Sequence, residues 1–248
     1  ELLERISYFE ERDKAQRQHT RELEARMIER ERENRARRRA EKEVEDALQS
    51  QQLLNELSLL SLQTYPLDVA MQHALAKITA LDWLPTCGEG ALFLLEPDQA
   101  RLVRIAAQGL DGPASDCREI SVDQELYRTL ALEPLIVPAG DSQCAERLAC
   151  LRREERQLYW VPIQGDGELL AVLTLYLPAD HHPQEREQGL LTVLSNMLGS
   201  LIMQHRAQSS LAESRVLLQG ILDNSAASVY LKDKQGRYIT VNEQFATL

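Results

Sequence analysis

Four cysteines and five histidines are the side chains here that could attack an electrophile, carry a proton or hold a metal. Cys87, Cys117, Cys144 and Cys150 form no CxxC pair and show no Cys/His spacing suited to zinc. No secretion signal accompanies them, so free thiols are expected. Cys144 and Cys150 lie in an irregular stretch of the kind that builds cavities. A redox or metal role there competes with plain packing, which is favoured because cysteine packs as a small hydrophobe and nothing nearby lowers its pKa. His181 and His182 could ligate a metal or haem, but they precede Pro183 in a polar loop and are read as a solvated pair. His73 and His205 fall on helices, as surface or seam residues. No serine, cysteine or histidine stands in a catalytic motif, so no catalytic residue and no metal ligand is assigned, and the segment is not expected to be an enzyme.

The elements that must position these groups begin with a long helix. Residues 1–87 contain no glycine and two prolines, Pro66 and Pro85, so the backbone meets no strong breaker before about Thr64. Leu2, Ile6, Phe9, Leu23, Met27, Val44 and Leu48 share an alternating 4, 3 spacing, the seam of a left-handed coiled coil. Between Arg30 and Glu41 the seam positions turn polar, which reads equally as a register lock or a slip point. The net charge of −11 argues against nucleic acid as a partner. The basic run Arg35, Arg37, Arg38, Arg39 is flanked by acids at helical spacing, as on a solvated helix. No stretch approaches the ~20 apolar residues of a membrane span, and a cytoplasmic location is expected.

A globular body follows. The leucines from Leu53 to Leu62 broaden the seam into a face, and Leu67, Ala70, Met71, Ala74, Leu75 and Ile78 mark a second helix. Residues 90–98 and 101–110 read as one hairpin. YWVPI at 159–163 and ELLAVLTLYLP at 168–178 read as another, closed by a glycine turn. The last strand is apolar throughout and so belongs in the middle of the sheet. Between the hairpins, residues 111–157 are irregular, with helical pieces expected near Asp123 to Leu132 and Ala145 to Glu155 and a strand at 135–137. Phe93, Tyr127, Cys144, Cys150 and Tyr159 are candidates for a ligand pocket. Only one of the neighbours Tyr159 and Trp160 can face it. A third long helix, expected over Gln184 to Leu222, carries a second seam that includes Leu201, Gln204, Gln208, Leu211, Arg215 and Leu218.

The order of these elements, with GALFLLEPD, RLVRIAAQGL, VPI, the glycine turn and LLAVLTLYLP, resembles the GAF domain, a small-molecule sensory fold. The resemblance covers about residues 53–205. It implies an α+β domain whose antiparallel sheet carries the entry and exit helices on one face and a pocket between the other face and the irregular stretch. Residues 222–248, LDNSAASVYLKDKQGRYITVNEQFATL, resemble the opening of a PAS domain. They comprise a first strand at Val229 to Leu231, a turn at Asp233 to Gly236, a second strand at Tyr238 to Val241, and then Asn242 and Phe245. So short a piece encloses no core and is expected to be frayed or held by a partner chain. The expected layout is a coiled-coil helix over 1–52, the GAF-like body over 53–205, a coiled-coil linker over 206–221 and a truncated PAS domain from 222.

This tandem resembles the input half of bacterial sensory proteins whose output is a histidine kinase or a diguanylate cyclase. It implies a homodimer paired through parallel coiled coils and cut from a longer protein. The cofactor is unassigned. Cyclic nucleotide is disfavoured because the Asn-Lys-Phe-Asp-Glu signature is missing, bilin because neither Cys144 nor Cys150 precedes a histidine, and haem for want of a ligating histidine. Two functions remain open: a sensor that relays the state of its pocket, and a ligand-free dimerisation scaffold for an output enzyme.

Overall fold

The computed structural model describes residues 2–63, 65–96, 100–123, 127, 135–137, 148–151 and 156–246, with residues 2–25, 113, 135, 137 and 149 as backbone alone. Helix α1 (Leu2–Leu60) matches the breaker-free sequence and stops a turn short of Thr64. There the bonding tightens to i−3, from Leu62 N to Leu59 O and from Gln63 N to Leu60 O. Pro66 disfavours helical geometry in the residue before it, so the helix does not resume until beyond that proline. Residues 1–53 form one compact unit and residues 54–248 another. In the first unit Met27, Val44 and Leu48 are exposed seam positions, and Arg37 pairs with Glu41 one turn on, at 2.7 Å.

In the second unit, α2 (Leu67–Thr79) buries the face its periodicity marks: Ala70, Met71, Ala74, Leu75 and Ile78. The sheet it packs against contains, among the described residues, six antiparallel strands. They are β1 (Gly90–Glu96), β2 (Arg101–Gln108), β3 (Glu119–Ser121), β4 (Leu135–Val137), β5 (Arg156–Gly165) and β6 (Glu168–Pro178), in the order β3-β2-β1-β6-β5-β4. As its apolar run requires, β6 is central. Asp166 and Gly167, both at positive φ, close the β5-β6 hairpin with the two-residue turn that matches strand twist. Beyond Arg104, which donates to Arg118 O, no strand among the described residues pairs with the outer side of β2, and Gln72 of α2 bonds both backbone groups of Ala107. Its amide donates to Ala107 O at 2.9 Å and its carbonyl accepts from Ala107 N at 3.1 Å.

The exit helix α4 (Glu185–Asp223) is continuous over 39 residues. Its start is held by Glu187, almost fully buried, whose carboxylate accepts from Gln184 N at 3.2 Å and meets His181 Nε2 at 2.8 Å. His181 is therefore not a solvated loop residue, because it partners a buried carboxylate. Leu190, Leu191, Leu194, Leu198, Leu201 and Ile202 bury the first half of α4. The helix comes so close to β5 that a Cβ on Gly199 would collide with Gln164 O. The other sheet face is covered by α3 (Gly112–Asp116) and a single 3-10 turn (Ala149–Leu151), both too short to show in sequence periodicity.

At the far end of α4, β7 (Tyr230–Lys232) and β8 (Tyr238–Val241) form a separate hairpin, followed by α5 (Glu243–Ala246). Rather than fraying, this piece is tied to the helix by Asn242, which is 1% exposed. Its Nδ2 donates to Leu222 O and Ala227 O, while its Oδ1 accepts from Val229 N and Phe245 N. Four bonds on one buried amide account for an asparagine at that position.

Gly199→Ala forces α4 off β5 and is expected to lower stability by about 1–3 kcal/mol. Urea unfolding checks it: the midpoint should fall with the slope unchanged, and an unaltered midpoint would mean the close approach is not tight.

Candidate functional site

Strand alternation assigns the two faces of the sheet. Tyr159, Val161 and Ile163 of β5, with Leu173 and Leu175 of β6, lie on the helix side. Burial and the nearby Glu187 carboxylate raise the pKa of Tyr159 above the ordinary phenol value. Trp160, Phe93, Leu158, Val172 and Tyr176 lie on the other side in one buried cluster with Ile120, Leu148 and Leu151. Of the two neighbours, Trp160 thus takes the covered face and Tyr159 packs beneath α4. The Tyr176 hydroxyl donates to Leu151 O at 2.8 Å and fastens the 3-10 turn to the sheet.

At one end of this covered face a cavity of about 430 Å³ opens. Its walls come from Leu95 at the end of β1, Ala100, Val122 and Asp123 beyond β3, and Glu168 and Leu169 at the start of β6. Tyr127 and Arg206 complete it. Leu169 N donates to the Tyr127 hydroxyl at 3.3 Å, which fixes the ring on the wall. Arg206 comes from α4, one turn beyond the buried Ile202, and its guanidinium donates to Leu95 O at 3.1 Å. Sequence reading passed over Arg206. The signal available was its place four residues after Ile202, on the side of the helix that turns toward the sheet.

The other sequence candidates scatter. Tyr127 is on the cavity wall, whereas Phe93 is fully buried in the core cluster. Cys144 lies outside the described residues. Cys150 is joined to Cys117 in a disulfide that links the 3-10 turn to the end of α3, which corrects the expectation of free, inert thiols for these two. No spacing rule pairs cysteines 33 residues apart; the fold does so by laying both segments over one face. Cys87 is free and exposed.

The seam residues of α4 also divide. Leu201 is buried and Gln204 Nε2 donates to Ser61 O at 3.3 Å, so both face the last turns of α1 across a groove of about 210 Å³. His205 Nε2 meets Tyr65 O at 2.7 Å beside them. Gln208, Leu211, Arg215 and Leu218 are exposed.

No family model and no curated protein matches the chain. Solved structures do. A GAF domain from a phosphoenolpyruvate-protein phosphotransferase of Coxiella burnetii is similar over 66% of this chain and 98% of its own, with TM-score 0.52 and 20% identity. The GAF domain of a putative sensor histidine kinase from Pseudomonas syringae pv. tomato is similar over 69% and 99%, with TM-score 0.50 and 16% identity. The second unit carries the GAF fold. A phycoerythrobilin-bound GAF domain from a cyanobacterial phytochrome is also similar, over 66% and 99%, with TM-score 0.50 and 15% identity. That neighbour corrects the cofactor expectation. A domain of this fold does hold a bilin, and the residues that follow Cys144 and Cys150 bear only on covalent attachment. No helix among the described residues is long and apolar enough to cross a membrane.

Alkylation of the unreduced protein is expected to modify Cys87 and to spare Cys117 and Cys150 until a reductant is added, as read by peptide mass mapping. Equal labelling of all three before reduction would show that the bond does not form.

Proposed function

We propose that this chain is the input and relay segment of a cytoplasmic signalling protein. In this reading the GAF body senses a small molecule and two copies pair in parallel through their long helices. The output is a histidine kinase, and the hairpin after α4 opens a PAS domain. The observation that supports the reading is the double use of α4. Its first half is buried against the sheet and it supplies Arg206 to the cavity wall. Beyond Gln208 the same helix exposes Leu211, Val216, Leu217, Leu218 and Ile221, at 59–73% each. Leu211 and Leu218 lie one heptad apart on the seam with Val216, Leu217 and Ile221 beside them, and so much exposed apolar surface calls for a partner helix. With polar Gln208 and Arg215 in that seam, the pairing is weaker than in an all-leucine zipper and its register easier to shift.

Sedimentation at micromolar concentration is expected to show a dimer. Introducing Leu211→Asp and Leu218→Asp together should weaken that dimer by about tenfold or more, which is about 1.4 kcal/mol, without lowering the melting temperature of the GAF body. A monomeric wild-type chain would contradict the reading. A dimer whose α4 spacing ignores every small molecule bound in the cavity would favour the scaffold instead.

A further inference from the structure

The cavity wall combines three kinds of surface. Arg206 supplies a cation, Asp123 and Glu168 supply carboxylates, and Leu95, Val122 and Leu169 supply buried apolar side chains. From this combination we infer that the cavity binds a small zwitterion with an apolar body, an amino acid or dipeptide with an aliphatic or aromatic side chain, whose carboxylate is held by Arg206. The inference rests on the sensing reading above and names the ligand class of the same site.

Charge balance separates this class from its neighbours. A ligand with only an anionic group would meet Arg206 but would lie beside the Glu168 carboxylate, in a chain of net charge −11. A ligand with only an amine would suit Glu168 and leave the guanidinium facing a like charge. A zwitterion satisfies both signs at once. The planar guanidinium fork matches a carboxylate through two parallel bonds, and the Tyr127 hydroxyl adds a polar group on the same wall. The volume, about 430 Å³, is within the range of roughly 300–1,000 Å³ typical of small-molecule sites.

Arg206 also gives the ligand a route to the output. Its guanidinium already donates to Leu95 O at the end of β1. A carboxylate arriving in the cavity draws on the same donors, and so acts on α4 two residues before the exposed seam begins at Gln208. The shift this produces is limited to the ligand's differential affinity for the two arrangements of the helix.

Calorimetric titration of the full chain with L-leucine, L-methionine, L-phenylalanine and L-leucyl-L-leucine, with N-acetyl-L-leucine and L-leucinamide as blocked controls, tests the inference. At least one free form should bind, and both blocked forms should bind about tenfold more weakly or worse. Arg206→Met should remove the preference for free leucine over leucinamide, Arg206→Lys should retain part of it, and Glu168→Gln should reduce the preference over N-acetyl-leucine. Melting temperatures of the variants separate lost binding from lost folding, and the lysine variant keeps the test open if the methionine variant does not fold. Absence of binding by every free form, equal binding of a blocked form, or wild-type affinity in Arg206→Met would each overturn it. Failure here with the dimer intact removes the ligand class and leaves the relay. Binding without any change in α4 spacing does the reverse.

Discussion

The approach of α4 to β5 at Gly199 sets the geometry on which the rest of the domain depends. A helix normally stands off the sheet it covers, held there by the side chains between the two layers. Here one position has none, and the helix backbone settles against Gln164 O. That contact lets Leu194, Leu198 and Ile202 sink into the helix-side core. One turn further on, it brings Arg206 within reach of Leu95 O around the end of the sheet. With α4 held farther off, the guanidinium would have a longer reach to the same carbonyl.

Two polar clamps bound the same helix. At its start, the buried Glu187 holds Gln184 N and His181, so a charge that would be costly alone is matched on two sides. At its end, Asn242 joins Leu222 O to the β7-β8 hairpin. Between the clamps there is no proline, and Gly189, Gly199 and Gly220 do not interrupt the helix. Under the proposed relay, a continuous helix of this kind is the element that would carry a displacement at the cavity toward the exposed seam. This links packing to function: what makes the core tight also makes the helix stiff.

The sequence carried this architecture where periodicity is long. The α2 face, the position of β6, the Asp166-Gly167 turn and the span of α4 all come from patterns of ten residues or more, or from a turn that demands positive φ. It was silent where structure depends on distant neighbours. The three-residue β3 and five-residue α3 are too short to carry a period. The choice between Tyr159 and Trp160 needs the register of β5 on β6. The Cys117–Cys150 bond and the place of Arg206 on the cavity wall follow only from how segments far apart in the chain fold over one sheet. The seam of α4 was legible as a spacing, but which of its positions face α1 within the chain was not.

The most direct measurement of the central claim, that α4 carries the state of the GAF body into a parallel helix pair, is the spin-label distance across the dimer. Labels at Ser210 and, separately, at Leu217 lie one heptad apart on the exposed half of α4. In a parallel pair, where helix axes run about 8–10 Å apart, both sites give short and nearly equal distances, and both change together when the cavity fills. Unequal distances at the two sites would mean antiparallel or splayed helices. Distances unmoved by a saturating ligand would mean that α4 is not the relay.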